Sequence, residues 1–513
     1  MSRLTELYRG RRTPPPPVAP AAHAAAWTRR VELVRAALSG TPTTPTSIDR
    51  PGALAAVLGD VVDHRDRSHV WLTLAALTGR LPDRPTVVEV TRASEFDDGA
   101  SLWAAVAAHT TDESAGWEVR LASAEVLVDV AHTASTDLTT GIQRVARETT
   151  RRWLDTRDCT PVSWSEAFDA MRELTPGELR RIRRGAVERR RVERGPVVAR
   201  PPGEPEPVVV VPWRATYVVP ELAAEPPRSS RLLAMAELTP NRTGVIGFDC
   251  VPITSSETTQ LGFAGVFAGN LAAVRHFDRI AAISAAAATE YSGWGAMLSA
   301  TGLAGPAVTS VPLPVEGALP TEDDTTSARQ RFVIGSLPLV LAIGSHEPRK
   351  NHLAVLHAAE LLWREGHRFS LSFIGGNSWG SADFTRLLSE LQRSGRPVDT
   401  ESKLSDGQLW AAYRLARFTV FPSLNEGFGL PVAESLAAGT PAVTSDFGSM
   451  RELAADGGAL TVDPHDDHAL AAGMRRLLVD DELHTALSRA AVSRPTRGWD
   501  AYANELWDHL VAW

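Results

Sequence analysis

The stretch RFTVFPSLNEGFGLPVAESLAAGTP, residues 417–441, decides the fold that this sequence encodes. It begins with an apolar run of strand length, and a loop containing Gly427 and Gly429 follows. Pro431 suits the first turn of a helix, and Gly439 suits the C-terminal stop of that helix. A buried strand that leads through a glycine loop into a helix is the repeating unit of a parallel α/β sheet, so we expect such a sheet here.

The same loop can bind an anion. The free N–H groups and the positive dipole end of a helix start favour negative charge, and Gly427 and Gly429 let backbone amides approach it closely. Glu434, in the first turn, could accept hydrogen bonds from vicinal hydroxyls such as those of a ribose, and Glu426 could hold a polar group beyond the phosphates. Alternatively, the glycines only form a turn and the acids favour the helix dipole. Two acids flanking Gly-Phe-Gly make the first interpretation the more specific one.

A second candidate lies in LAIGSHEPRKNHLAVLHAAE, residues 341–360, where a strand ends and a helix follows. The loop between them carries Arg349 and Lys350, and adjacent cations at such a place would bind a diphosphate. The alternative is a solvated basic pair. Lysine is otherwise found only at Lys403 in this chain, so a retained lysine is informative.

Strands and helices alternate through most of the chain, which predicts two doubly wound α/β domains. The first spans 124–330, including a polar linker at 316–331, and the second spans 331–496. A C-terminal helix is expected at 497–513. Ligands of such sheets bind beyond the carboxyl ends of the strands, and a cleft between two domains is the default site.

The N-terminal quarter carries no motif that can be attached to chemistry. Residues 1–25 are rich in Pro and Ala and predict a disordered leader. Residues 26–123 predict a mostly helical extension with one short strand, PTVVEVTRA, at 85–93.

Composition narrows the class of protein. The 513 residues are 43% hydrophobic with a formal net charge of −8, which excludes a fully disordered chain and argues against a nucleic-acid partner. With Cys159 and Cys250 as the only cysteines, neither a disulfide framework nor a Cys-rich zinc site is expected. No secretory signal and no apolar run of about 18 residues is found, so we expect a cytoplasmic protein.

Three stretches resemble the nucleotide-sugar domain of retaining glycosyltransferases of the GT-B fold, in glycosyltransferase family 4. They are EPRKN (347–351), FIGG (373–376) and PSLNEGFGLPVAESLAAGTPAVTSD (422–446). The resemblance implies two Rossmann-like domains facing a central cleft, and the wording GSHEPRKN is similar to mannosyl- and rhamnosyltransferase-like members of bacterial polysaccharide pathways.

The resemblance also implies roles for individual residues. Arg349 and Lys350 would grip the donor diphosphate, and Glu434 would bind the ribose. Glu426 and the amides of the following loop would contact the transferred sugar and the β-phosphate. The donor-binding residues it implies are Gly141, Ser345, Gly375, Gly427, Phe428, Gly429, Leu430 and Glu434.

The middle domain resembles the acceptor half of the family less tightly. LTTGIQRVARE (138–148) looks like the loop after the first strand, with Gly141 near the donor phosphates, and VIGFDCVPI (245–253) looks like its D-x-x-P segment. Asp249 in that segment is either an acceptor-orienting residue or a loop-capping aspartate, and the sequence leaves both open.

The expected reaction is hexose transfer with retained anomeric configuration, which the resemblance implies. No Asp-x-Asp motif follows a strand, so we expect no metal site, and the leaving charge would be neutralised by Arg349, Lys350 and helix N-termini. No cofactor is expected. The expected partners are a nucleotide-sugar donor, with GDP-mannose as the first guess, and a glycan or polyprenyl-diphosphate-linked acceptor.

Two other functions stay open. One is a catalytically inactive nucleotide-sugar-binding scaffold of a glycan assembly complex, with the N-terminal region as an assembly module. The other is a phosphorylase with pyridoxal bound to a lysine, for which Lys403 would remain. The basic run LRRIRRGAVERRRVERG, residues 179–195, could contact the inner face of the cell membrane or a lipid diphosphate. A solvated helix face is the alternative, since no aromatic or leucine-rich face opposes the arginines.

Overall fold

The computed structural model describes residues 19–40, 48–136, 140–183 and 208–513. The strands are β1 (Val119–Ala122), β2 (Val126–Asp129), β3 (Thr160–Trp164), β4 (Met171–Glu173), β5 (Val209–Pro212), β6 (Thr216–Val219), β7 (Arg242–Gly247), β8 (Arg279–Ala282), β9 (Ala307–Ser310), β10 (Leu339–Ile343), β11 (Ser370–Ile374), β12 (Val398–Glu401), β13 (Phe418–Phe421), β14 (Ala442–Ser445) and β15 (Ala459–Val462).

The α-helices are α1 (Ala21–Ser39), α2 (Pro51–Leu58), α3 (Arg67–Thr78), α4 (Arg84–Ser94), α5 (Ala100–His109), α6 (Asp112–Gly116), α7 (Ala131–Ser135), α8 (Gly141–Thr156), α9 (Pro176–Arg183), α10 (Pro226–Leu238), α11 (Val251–Thr254), α12 (Phe263–Val274), α13 (Ala285–Ala300), α14 (Glu322–Phe332), α15 (His352–Arg364), α16 (Ala382–Arg393), α17 (Asp406–Leu415), α18 (Leu430–Ala437), α19 (Gly448–Ala455), α20 (Asp467–Val479), α21 (Asp481–Val492) and α22 (Trp499–Leu510).

Two sheets form the framework, as the alternation of strands and helices predicts. The first has the order β1-β5-β4-β3-β2-β6-β7-β8-β9, parallel except at β4, which runs antiparallel to β3 and β5. The second has the order β12-β11-β10-β13-β14-β15 and is parallel throughout. The chain order reverses between β2 and β6 in the first sheet and between β10 and β13 in the second. Crevices for ligands open at such switch points, beyond the carboxyl ends of the strands.

The apolar runs of the inner strands are buried because helices cover the faces of each sheet, whereas the edge strands β9 and β15 are partly exposed. In the central strands β10 and β13 every residue is buried, which is the burial that continuous apolar runs predict. A capping box formed by Ser405 and Gln408 begins α17. Gly439 follows α18 with φ +79°, so it ends that helix as expected.

The N-terminal extension is helical, but it is not a separate module. Trp27 on α1 and Trp71 on α3 lie in the same apolar cluster as Val210 and Tyr217 of the first sheet. The prediction of a strand at 85–93 is wrong, because this stretch forms α4. Asp83 caps that helix by accepting a hydrogen bond from the Thr86 amide, and the cap outweighs the β-branched composition.

Three expected boundaries need correction. Residues 1–18 of the leader lie outside the described residues, but α1 already begins at Ala21, where Pro20 precedes an alanine-rich run of high helix propensity. Residues 119–122, which the predicted boundary assigns to the extension, form β1, and this strand pairs with β5 at the edge of the first sheet. Part of the expected linker is α14, which begins with a Thr321 capping box and packs against α17 of the second domain.

The C-terminal helix crosses back to the first domain. After the second sheet is complete, α22 packs against α8, β7 and β8. The Trp153 indole on α8 donates a hydrogen bond to the Ala503 carbonyl at 2.8 Å. The chain therefore returns from the second domain to the first and ends packed against it.

The predicted basic run lies largely outside the described residues, which end at residue 183 here. Within α9, Arg181 donates to the Ala134 carbonyl at 2.9 Å. The membrane contact of this run stays a prediction. In the parts of the chain described, no helix is both long enough and apolar enough to cross a bilayer.

A buried charge cluster holds the loops at the switch point of the first sheet. The guanidinium of Arg228 on α10 lies 2.9 Å from Asp129 Oδ1, at the end of β2, and 3.0 Å from Glu221 Oε1. Glu221 in turn accepts hydrogen bonds from the amides of His132 and Thr133 at 2.8 Å each and so caps α7. With this network complete, burying three charges is tolerated.

We expect Arg228→Ala to destabilise the protein by about 3–5 kcal/mol, because it leaves two buried carboxylates without their cation. Calorimetric melting checks this. The matched control is Arg331→Ala, which breaks surface pairs with Asp399 and Glu401 at 2.8 and 3.1 Å and should cost at most about 1 kcal/mol. Equal melting temperatures of the two variants would contradict the assignment.

Candidate active site

The two loops that carry the predicted cations and acids meet at the switch point of the second sheet. Arg349 and Lys350 follow β10, and Glu426 follows its neighbour β13. The Glu426 carboxylate forms two ion pairs: its Oε2 lies 2.7 Å from Arg349 Nη1, and its Oε1 lies 2.6 Å from Lys350 Nζ. The Ser423 hydroxyl donates to Oε1 at 2.6 Å. The structure therefore brings Arg349, Lys350 and Glu426, which lie in separate stretches of the sequence, to one place.

The charges of this cluster balance one another. Arg349 Nη2 also lies 2.7 Å from Glu347 Oε1, so two carboxylates face two cations. Burial alone would raise the pKa of Glu426, but Lys350 and then Arg349 lower it to about 2. Burial alone would lower the pKa of Arg349, whereas Glu426 and Glu347 raise it above its ordinary value. Glu426 and Arg349 are thus held firmly in the charged form by their neighbours.

A row of unpaired backbone amides lies beside this cluster. Helix α18 begins at Leu430, after Gly429 with φ +91°, and no side chain caps it. Within the described chain, the amides of Gly427, Phe428, Gly429 and Leu430 donate to no other protein group. Because buried amides are almost always paired, consecutive free ones at a helix start form a binding place for an anion.

Glu434 lies on α18, but both of its oxygens are engaged in this structure. Oε1 receives Arg144 Nη1 of α8 at 2.7 Å, and Oε2 accepts a hydrogen bond from the Tyr413 hydroxyl at 3.0 Å. Binding of two vicinal hydroxyls therefore requires those hydroxyls to share the carboxylate with Arg144 and Tyr413. The predicted role of Glu434 in holding a ribose stays a prediction.

The glycines predicted to bind the donor lie where strands end and loops approach closely. A Cβ on Gly141, at the start of α8, would lie 3.3 Å from the Leu430 side chain, so the starts of α8 and α18 face each other across the cleft. Gly375 follows β11 with φ +157°, and a Cβ there would lie 1.9 Å from the Gly344 carbonyl and 3.2 Å from the Ser345 amide. The loops after β10 and β11 are in contact through these residues.

The loop of residues 425–430, predicted to contact the donor and called the donor loop below, also contacts the first domain directly. The Ser284 hydroxyl donates to the Gly427 carbonyl at 2.6 Å. Asn425 Nδ2 donates to Glu290 Oε1 at 3.1 Å, and Phe428 is buried in the core cluster of the first domain. The loop is therefore held from both sides of the cleft.

A cavity of about 290 Å³ opens next to this loop, between the domains. Asp249 lies in its wall together with Arg349, and the remaining wall is mostly apolar. Asp249 Oδ1 accepts a hydrogen bond from the Val251 amide at 3.1 Å, at the start of α11. Burial raises the pKa of Asp249 to about 6; Arg349 opposes this shift, and Glu290 and Glu426 add to it. Asp249 can therefore serve in both roles that the sequence left open. One oxygen caps the loop, and the carboxylate also lines the cavity, where it could orient an acceptor.

Four residues of this region were not predicted: Arg144, Ser423, Glu347 and Tyr413. Arg144 and Tyr413 contact Glu434 although both lie outside its sequence motif, so no local pattern could identify these two contacts. Glu347 and Ser423 lie within the quoted stretches. They could have been recognised as polar side chains that follow the carboxyl ends of strands. Among the described residues, no three His, Cys, Asp or Glu side chains are grouped so as to hold a metal ion.

Gly427 should resist substitution because the two domains meet there. A Cβ on Gly427 would lie 2.2 Å from the Phe248 carbonyl and 3.0 Å from Asp249 Oδ2. We therefore expect Gly427→Ala to force the domains apart, which small-angle scattering should record as a larger radius of gyration. Gly376→Ala is the control, since a Cβ there meets nothing within 4 Å. Identical scattering of both variants would refute the contact.

Comparison with known proteins assigns the second domain. A family model described as glycosyl transferases group 1 matches residues 324–494. An O-antigen chain mannosyltransferase B of Escherichia coli is 35% identical over 153 residues, 30% of this chain and 40% of the relative. A D-inositol 3-phosphate glycosyltransferase of Thermobispora bispora is 33% identical over 190 residues, 35% of this chain and 44% of the relative. The chain thus spans less than half the length of these curated relatives.

Solved structures show the same architecture over more of the chain. A sucrose-phosphate synthase from Thermosynechococcus elongatus superposes with a TM-score of 0.51 at 16% identity, covering 76% of this chain and 99% of the other. The HepE protein of Anabaena, in complex with UDP and glucose, gives a TM-score of 0.52 at 13% identity, covering 76% and 100%. Residues 324–494 thus match the glycosyl transferases group 1 family model, and the two sheets of the chain form a GT-B fold like that of these solved structures.

Proposed function

We propose that this protein is a glycosyltransferase that moves a hexose from a nucleotide-diphosphate sugar to a glycan or lipid-linked glycan acceptor in bacterial polysaccharide biosynthesis. The observation that carries the proposal is the Glu426–Arg349–Lys350 cluster beside the free amides of residues 427–430. Cations and unpaired amides converge there on a space suited to a diphosphate, at the switch point of the sheet.

In the proposed reaction, Arg349, Lys350 and the starts of α8 and α18 stabilise the leaving diphosphate without a metal ion. Each cation is already fixed by Glu426, so it needs no reorganisation when negative charge develops on the leaving group. Arg349 and Lys350 both keep further N–H donors for the phosphate oxygens.

Retention of configuration is the finer part of the proposal, and its support is the resemblance to family 4. The leaving phosphate would help to remove the proton of the acceptor hydroxyl on the same face of the sugar. Asp249 would orient that hydroxyl, because it lines the cavity that adjoins the donor loop. Glu426 would contact the transferred sugar from the loop.

GDP-mannose is the first donor to test. A relative with 35% identity is named as an O-antigen chain mannosyltransferase, and this name supports both a mannosyl donor and a polysaccharide acceptor. A scaffold without catalytic activity would bind the same donor and transfer nothing, so transfer from labelled sugar nucleotides to a lipid-linked acceptor separates the two.

We expect Lys350→Ala and Glu426→Gln each to lower the rate of labelled-sugar transfer by about 100-fold or more, because each disrupts the charges that meet the leaving diphosphate. Circular dichroism should show both variants folded. Lys403→Ala is the matched control, since Lys403 is the second lysine of the chain and is exposed. Wild-type turnover in Lys350→Ala and Glu426→Gln would refute the assignment of this site.

We also expect kcat/KM to rise as the pH increases through about 6, because Asp249 must be ionised to accept a hydrogen bond from the acceptor hydroxyl and its pKa is about 6. Asp249→Asn should lose this rise along with most of the activity. Asp446→Asn, which removes a surface partner of Arg451 at 2.7 Å, should keep the wild-type profile. An inflection that survives in Asp249→Asn would assign it to another group.

A further inference from the structure

The cavity beside the donor loop contains an aromatic side chain that the proposed function has not used. Trp379 of the loop after β11 lies in its wall with Glu347 and Arg349, opposite residues of the first domain that include Asp249 and Phe263. We propose that this cavity takes the neutral sugar at the end of the acceptor glycan, with Trp379 stacking on its ring, and that it excludes acidic termini. The inference rests on the proposed function and names the substrate class of its acceptor site.

Trp379 is held in place by the segment that carries Arg349. The His346 amide donates to the Gly376 carbonyl at 2.9 Å, and His346 Nδ1 lies 2.8 Å from Asn377 Oδ1. A Cβ on Gly380 would lie 2.7 Å from the Pro348 ring, so the loop is packed closely on both sides of the tryptophan. The loop that carries the indole is thus held in place before any ligand binds.

The indole is also available to a ligand. Trp379 is half-buried, and its N–H has no partner among the described residues, so it can donate to a sugar hydroxyl. The C–H groups of a pyranose form an apolar face that packs on an aromatic ring. Apolar surface next to a few polar groups is the usual composition of a small-molecule site, and Phe263 and Phe267 continue the apolar wall.

The charges around the cavity favour a neutral ligand. Glu221 is satisfied by Arg228 and the start of α7, and Arg349 is satisfied by Glu347 and Glu426. Asp249 forms no ion pair with any described residue, and the cavity wall holds three carboxylates, Glu221, Asp249 and Glu347, against the single cation Arg349. A phosphate or carboxylate on the acceptor would meet this excess of negative charge, whereas sugar hydroxyls can donate to Asp249. For a lipid-linked acceptor, the diphosphate then lies outside the cavity.

The test uses the full-length protein saturated with GDP or UDP, whichever raises its melting temperature. Binding of neutral disaccharides, including mannobiose, and of mannose 6-phosphate and methyl glucuronide is measured by saturation-transfer NMR and calorimetry. We expect at least one neutral disaccharide to bind and both anionic sugars to fail. Trp379→Ala should lower the affinity for the neutral disaccharide about tenfold or more, whereas Trp379→Phe should retain most of this affinity. Asp249→Asn should admit the anionic sugars.

Nucleotide affinity serves as the internal control and should be equal in wild type, Trp379→Ala and Trp379→Phe. The inference is overturned if no neutral sugar binds the nucleotide-loaded protein, if Trp379→Ala binds like wild type, or if the anionic sugars bind wild type as tightly as the neutral ones. Failure of the proposed function has a different signature: either no nucleotide sugar binds, or the donor binds and no labelled sugar is transferred from it.

Discussion

One buried carboxylate, Glu426, joins the two loops on which the candidate site depends. It takes one cation on each oxygen, and so it fixes the loop after β13 to the loop after β10. Charges at this depth are tolerated only in pairs. The motif EPRKN and the loop NEGFG are therefore two halves of one electrostatic unit, and the neighbouring positions of β10 and β13 make that unit possible.

The balance of charge within this unit bears on how it would bind a diphosphate. With Glu347 and Glu426 facing Arg349 and Lys350, the cluster carries no net positive charge of its own. Attraction for a dianionic donor must then come from the free amides at the start of α18 and from N–H groups that the cations keep unused. The protein supplies fixed dipoles at short range rather than a strong long-range field, which fits a chain with a net charge of −8.

The sequence was sufficient for features determined by near neighbours. Strand–loop–helix units, the Gly439 stop and the clustering of Glu426 with Arg349 and Lys350 follow from local patterns and from the geometry of parallel sheets. Contacts between residues far apart in the chain could not be predicted from the sequence. The Arg144–Glu434 pair joins α8 to α18, and β1 pairs with β5 across a long insertion, so no spacing encodes either. The strand expected at 85–93 failed because the Asp83 cap was not recognised.

Arg349 contacts both the cavity and the loop that carries Glu426, so it links these two regions electrostatically. It lies in the wall of the cavity and at the same time binds Glu426 on the donor side. A diphosphate that draws the guanidinium toward itself would weaken its attraction for Glu347 and Asp249, so the cavity would become more negative when the donor is bound. Any coupling of this kind is reciprocal: an acceptor that donates hydrogen bonds to those carboxylates would in turn release Arg349 toward the donor. In the proposed function, a single guanidinium shared by the two sites would therefore favour binding of both substrates together over binding of either one alone.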